Sequence, residues 1–301
     1  LGRSMHQHPP QKTFGWEKMT WQNSRGDNEY HAFLERNQGE GWTTYHGSGV
    51  MHNDYTARSF HLEERLHHTN WTVHEAEKFL ASRDGTRPWC MVASFLASHP
   101  PLIPPSFYMD RYLRTGVPDP VIGDWATPPR HPGYSQGVAS HEVDLKGEML
   151  LACRAGYYGL INHMDDQIRR LLNGVCGAAP LRNTIVIYTA DHGEMLGDHY
   201  LWRKCLPYQG SCHIPMLVSA PRSFGFKQGQ VLDEPVCLED VMPTVLDLAG
   251  AEIPDTVEGR SLVPLLRGET QEWRDFVHVE CSGEGRLPSR PAFHAISNGR
   301  E

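Results

Sequence analysis

Residues 184–204 read Thr-Ile-Val-Ile-Tyr-Thr-Ala-Asp-His-Gly-Glu-Met-Leu-Gly-Asp-His-Tyr-Leu-Trp-Arg-Lys. Thr184 to Thr189 is a short β-branched and aromatic run with the length and composition of a buried strand. It stops at Asp191-His192-Gly193, which predicts two potential metal ligands at a strand's carboxyl end. In open α/β sheets ligands bind there, because the loops leaving the strands diverge and open a crevice. Gly193 is expected to let the backbone turn tightly beneath those two side chains.

Around this stretch, 301 residues with 39% hydrophobic content and no repeats are enough for one large α/β core plus an appendage. A formal charge of -8 argues against a nucleic-acid partner, though a local cationic pocket for an anionic substrate stays open. No apolar run approaches bilayer-spanning length, and residues 1–20 lack a continuous apolar signal segment. The seven cysteines form no C-x-x-C pair and are odd in number, which argues against a zinc ribbon or a dense disulfide framework. They do not decide a compartment. Cys90 and Cys153 sit in apolar stretches and are expected to be small buried hydrophobes. Asn70-Trp71-Thr72 satisfies the glycosylation sequon, but Asn70 also stands where a helix cap is needed, and capping is its expected role.

Residues 12–68 predict a long surface excursion with short helical pieces, of the kind that lines or lids a site. Its His46, His52, His61, His67 and His68 fit no ligand spacing and are expected to be solvated. Residues 70–82 follow as an amphipathic helix with Val73, Ala76, Phe79 and Leu80 on one face. Trp89 to Leu96 predicts a second buried strand running into Ala97-Ser98-His99-Pro100-Pro101. Residues 106–140 are proline-rich and expected to be irregular. From Lys146 an apolar stripe through Cys153, Tyr157, Leu160, Met164, Ile168 and Leu171 predicts a helix of about seven turns, ended by Gly174. Strands are predicted at 214–218, 276–280 and 292–297, and a short helix from near Glu239 to Gly250.

The longer string Asp191-His192-Gly193-Glu194-Met195-Leu196-Gly197-Asp198-His199, with Leu201 to Lys204, Pro207-Tyr208 and Ile214-Pro215, resembles the second metal-binding segment of the sulfatases. That family belongs to the alkaline phosphatase superfamily, together with the phosphonate monoester hydrolases. The resemblance implies that Asp191 and His192 ligate a divalent cation and that Lys204 binds the substrate oxyanion. Ser94-Phe95-x-x-x-His99-x-Pro101 resembles the family strand whose terminal histidine meets the substrate. Gly2-Arg3-Ser4-Met5-His6 resembles the family's Gly-Lys-x-His, with arginine for lysine and the histidine one residue further on. Arginine keeps the charge and grips an oxyanion with a planar fork. Arg3 is therefore placed on the oxyanion and His6, with His99, near the leaving oxygen; His8 is a competitor of His6. His163, Asp165, Asp166 and Gln167 match a family helix. The two aspartates point about 100° apart there, which makes them structural rather than joint ligands.

What the resemblance implies is an alkaline-phosphatase-like α/β sandwich, with a mostly parallel central sheet flanked by helices and incomplete at the N-terminus. Residues 1–268 would form this core, and residues 269–301 the start of a small C-terminal antiparallel unit. The implied reaction is arylsulfatase-like hydrolysis of a sulfate monoester, from a small molecule or a glycan, by a formylglycine nucleophile beside a metal. Calcium is the family's usual ion; the His192 imidazole makes Mn2+ or Zn2+ a rival. The C-x-P-S-R type motif that yields formylglycine does not occur here: in Leu287-Pro288-Ser289-Arg290 the preceding residue is Arg286, not cysteine. The family's strand with two aspartate ligands is also missing. The expectation is a piece truncated at both ends that binds metal weakly and turns over no sulfate ester. Phosphonate monoester or phosphodiester hydrolysis, and a catalytically inactive binding protein, are the alternatives.

Overall fold

A computed structural model describes residues 1–3, 9, 12–22, 28–38, 45–129, 141–178, 183–269, 272–281 and 292–299. The chain divides into two units, Leu1–Pro180 and Leu181–Glu301. The fold is α/β, as the sequence predicts. None of the described helices is long and apolar enough to cross a membrane.

In the first unit, β1 (Gly2–Arg3) pairs in parallel with β2 (Trp21–Gln22), and its other edge meets Ser94. Helix α1 (Glu29–Gln38) lies in the predicted excursion, and α2 (His68–Ser82), α3 (Ser106–Thr115) and α4 (Gly147–Ala178) follow. Both α2 and α3 pack on α4. Glu77 of α2 takes two hydrogen bonds from Arg170 of α4, through Nε at 3.0 Å and Nη2 at 2.5 Å. The excursion is no bare surface loop: Tyr30, Leu34, Val50, Phe60 and Leu66 form one cluster with Trp71, Leu96 and Ile103.

Several expectations change here. Residues 89–96 form no continuous strand: Ser94 alone among them makes a bridge, and Cys90 and Val92 are exposed. Cys153 is buried as expected, and Cys90 is not. The irregular stretch holds α3, which follows Pro104-Pro105 and buries Tyr108 and Met109. Helix α4 runs through Gly174 to Ala178: a helical glycine costs about 1 kcal/mol, and packing along the helix offsets it. His67, not Asn70, caps α2, its Nδ1 accepting from Thr69 N at 3.2 Å. Asn70 is instead buried in the first turn, with Oδ1 2.7 Å from His163 Nε2.

In the second unit, β3 (Val186–Thr189) pairs antiparallel with β4 (Met216–Ser219), Thr189 opposite Met216. β3 is half-buried rather than buried. The short α5 (Gln209–Cys212) precedes β4. α6 (Val241–Leu248) ends before Gly250, which takes a left-handed φ of 67°, and α7 (Val263–Arg267) packs on it. Leu262, Val263, Leu265, Leu266 and Phe226 form one core cluster of this unit. β5 (Val277–Cys281) and β6 (Phe293–Ser297) make an antiparallel pair.

Candidate functional site

Asp191 and His192 leave the carboxyl end of β3 side by side. Asp191 keeps 44% of its side chain exposed, and His192 26%. His192 Nδ1 lies 2.8 Å from the Gly193 carbonyl oxygen. A carbonyl only accepts, so Nδ1 carries the hydrogen and Nε2 presents its lone pair. Nε2 and Asp191 Oδ2 are 3.4 Å apart. Two donors held at right angles about 2.2–2.4 Å from one cation stand about 3.1–3.4 Å from each other. The pair therefore fits one edge of a divalent-cation shell, with the imidazole fixed by a carbonyl as metal-ligating histidines are.

The backbone behind the pair is held from α5. Gly193 N donates to Ser211 O at 2.8 Å, and a Cβ on Gly193 would overlap the Gly210 carbonyl. Glycine is required by that close approach and not by the tight turn expected from sequence, since Gly193 does not adopt a left-handed φ.

The loop that follows closes on itself. Met195 N donates to Arg203 O at 2.9 Å and Gly197 N to Leu201 O at 2.8 Å. The Glu194 carboxylate accepts from Leu196 N at 3.2 Å and from Arg203 N. Burial pushes its carboxyl up; the two backbone donors and the charges of Lys204 and Arg203 oppose the rise. Leu196, His199, Tyr200, Arg203 and Cys205 all adopt left-handed φ values between 50° and 70°. Such conformations are uncommon outside glycine and concentrate where surrounding structure imposes them.

The model that describes the Sulfatase family matches residues 12–251. The chain belongs to the sulfatase family. It is 40% identical over 235 residues to an arylsulfatase of Clostridium perfringens, covering 78% of this chain and 49% of the relative. A choline-sulfatase of Rhizobium meliloti is 28% identical over 191 residues, 62% of this chain and 36% of the relative. Among solved structures, phosphonate monoester hydrolases of Agrobacterium radiobacter and Silicibacter pomeroyi align with TM-scores of 0.70 and 0.68. Their identities are 25% and 26%, over 83% and 87% of this chain and 53% and 54% of theirs. The chain spans about half the length of this arylsulfatase and of these two hydrolases.

Within this sulfatase-family chain, Asp191, His192 and the half-buried Lys204 lie in the second unit, the first two adjacent and Lys204 within electrostatic reach of Glu194. Arg3 and His99 lie in the first unit. Arg3 is half-buried in β1, its amide donating to Ser94 O at 3.1 Å; Gly2 before it has a φ of 97° and sits where a Cβ would overlap the Ser94 carbonyl. His99 Nδ1 donates to Pro100 O at 2.7 Å. His6 and its competitor His8 lie outside the described residues.

Two residues, one in each unit, make contacts that the sequence did not indicate. His52 stacks on His99 with centroids 5.0 Å apart and planes 22° apart, and is half-buried rather than solvated. Nothing local in the sequence joins residues 52 and 99. Glu194 organises the loop by accepting two backbone hydrogens; its place inside Asp-His-Gly-Glu marks it, but the residues it binds lie up to nine positions away. His67 and His68, expected to be solvated, are 0% and 1% exposed. They belong to the start of α2, which begins two residues before the predicted boundary.

Proposed function

We propose that the whole protein is a sulfuric ester hydrolase acting on a sulfate monoester, from a small molecule or a glycan, with a divalent cation held in part by Asp191 and His192. The observation that carries this is the 3.4 Å Asp191–His192 pair with its carbonyl-fixed imidazole, in a chain 40% identical to an arylsulfatase. Carboxylate oxygen suits Ca2+, the family's usual ion, and the imidazole nitrogen keeps Mn2+ or Zn2+ in contention. Once bound, such an ion polarises the sulfuryl oxygens and templates the displacement.

The remaining roles follow side-chain chemistry. Lys204 carries a compact positive charge suited to the sulfate oxyanion, and Arg3 a planar fork suited to an oxyanion by its side-chain chemistry. His99, its Nδ1–H engaged by Pro100 O, exchanges its proton at Nε2, the arrangement a leaving alcohol requires. His6 takes the same role on the family pattern. The nucleophile of this reading is a formylglycine whose motif is not in this sequence. It divides one displacement into two easier steps.

Taken alone, these 301 residues supply two side chains to the ion and no nucleophile, so they should turn over no sulfate ester. Hydrolysis of phosphonate monoesters is the second reading, favoured by the two hydrolase structures aligned at TM-scores of 0.70 and 0.68. An aryl sulfate and an aryl phosphonate monoester, each offered to the protein purified from its source, separate the readings. Sulfate release that disappears with Asp191→Asn is the expected result, and phosphonate turnover without sulfate turnover would replace the first reading by the second.

A further inference from the structure

The β5–β6 pair carries a cluster that sulfate chemistry does not use. Glu280 stands directly opposite His294, and His278 opposite Ile296. Residues two apart on a strand share a face, so His278, Glu280 and His294 project together, and all three are exposed. One ligating atom from each lies within 4.8 Å of the other two. His294 Nδ1 is 3.4 Å from Glu280 Oε2, and the His278 and His294 rings stack at 5.4 Å with planes 22° apart.

We propose that His278, Glu280 and His294 form a second metal site, specific for Zn2+ and similar imidazole-preferring ions, that clasps β5 to β6. A tetrahedral Zn2+ with bonds of about 2.0–2.1 Å sets its ligands about 3.3–3.4 Å apart. Glu280 and His294 already stand at that separation, and His278 closes the remainder by a side-chain rotation on the same open face. Two imidazoles and one carboxylate suit Zn2+, Co2+, Ni2+ or Cu2+, whereas Ca2+ and Mg2+ take oxygen shells. An exposed His–Glu ion pair would account for Glu280 and His294 but not for the second imidazole stacked on the first. Three protein ligands leave a fourth position for water. The site uses no residue of the Asp191–His192 segment, so its ion and that of the sulfatase reading are separable.

The test is calorimetric titration of the chelator-stripped 301-residue protein with ZnSO4, in an Asp191→Asn, His192→Ala background that removes the other pair. One equivalent of Zn2+ should bind, uncompeted by Ca2+. It should be lost in His278→Ala, His294→Ala and weakened about tenfold or more by Glu280→Gln. X-ray absorption of the parent protein, which needs no variant to fold, loaded with one equivalent of Zn2+ in excess Ca2+ to occupy the other pair, should show two imidazoles and one carboxylate. Unchanged Zn2+ affinity in the double histidine variant, or a zinc shell without two imidazoles, overturns the proposal.

Discussion

The Arg274 guanidinium closes on the Asp240 carboxylate through two parallel hydrogen bonds, Nη2 to Oδ1 at 2.7 Å and Nη1 to Oδ2 at 2.8 Å. Asp240 is fully buried and also accepts from Cys237 N and Arg260 N, both within 2.9 Å. The pair ties the turn before α6 to the segment leading into β5. Removing one partner of such a pair strands the other charge, which typically costs about 3–5 kcal/mol. Arg274→Ala should lower the urea midpoint accordingly, read by the fluorescence of Trp273, over which Arg274 stacks at 5.1 Å. A loss below about 1 kcal/mol, the size of an exposed pair, would contradict the assignment.

Acid should unfold the first unit early. Burial holds the His67 imidazole well below its ordinary value, pushes His68 down to about 3 and His163 down to about 4. The rings of His67 and His68 are 4.0 Å apart, and those of His67 and His163 4.7 Å. Among the described residues Glu64, at 3.7 Å from His163, and Asp166 are carboxylates that face them, and the Tyr108 ring packs tilted against His163. Each group protonates more readily unfolded than folded. Its stabilisation is therefore complete above about pH 6.5 and declines as pH falls toward 3–4, by about 1.4 kcal/mol per pH unit for each histidine. Unfolding free energies at pH 7 and pH 5 should differ by several kcal/mol, and His163→Gln should flatten the dependence. Equal slopes in parent and variant would exclude His163.

At Glu194 the sign reverses. Burial raises its carboxyl, so ionisation destabilises the fold as pH rises through and above the ordinary carboxylate range. Glu194→Gln keeps an oxygen for Leu196 N and Arg203 N and should leave stability within about 1 kcal/mol at pH 7. Glu194→Ala strands both amides and should cost about 1–3 kcal/mol. Thermal melts of the two variants make the comparison, and equal losses would mean that the hydrogen bonds contribute nothing.

Gly193→Ala should damage metal binding without touching a ligand. Its Cβ meets the Gly210 carbonyl, and relieving an overlap of this kind costs about 1–3 kcal/mol and moves the backbone that carries His192. Equilibrium dialysis with Ca2+ should show weakened binding for Gly193→Ala and for His192→Ala alike. Full affinity in Gly193→Ala would show that the approach of α5 does not position the pair.

Features governed by local periodicity were legible in the sequence. The β-branched run yielded β3, the stripe from Lys146 yielded α4, and Gly250 ended α6 where a left-handed residue was needed. Errors arose where a distant partner decides. Asn70 reads as a cap until His163, 93 positions away, takes its side chain. Cys90 and Val92 read as core because composition does not reveal that both are exposed. Gly174 reads as a stop because the packing that carries α4 past it comes from α2. The adjacency of Asp191 and His192 at the end of β3 was legible in the sequence, while the tautomer of His192 needed the Gly193 carbonyl to be seen.

The left-handed residues between Leu196 and Cys205 bear on how this protein could be engineered. A non-glycine residue held there costs roughly 1 kcal/mol or more, and glycine at half-exposed His199 or Tyr200 would remove much of that cost. Thermostability could thus be raised within a few residues of Lys204. The same replacements would slacken the loop between Met195 and Lys204, so heat resistance and a fixed loop geometry should favour different residues at these positions.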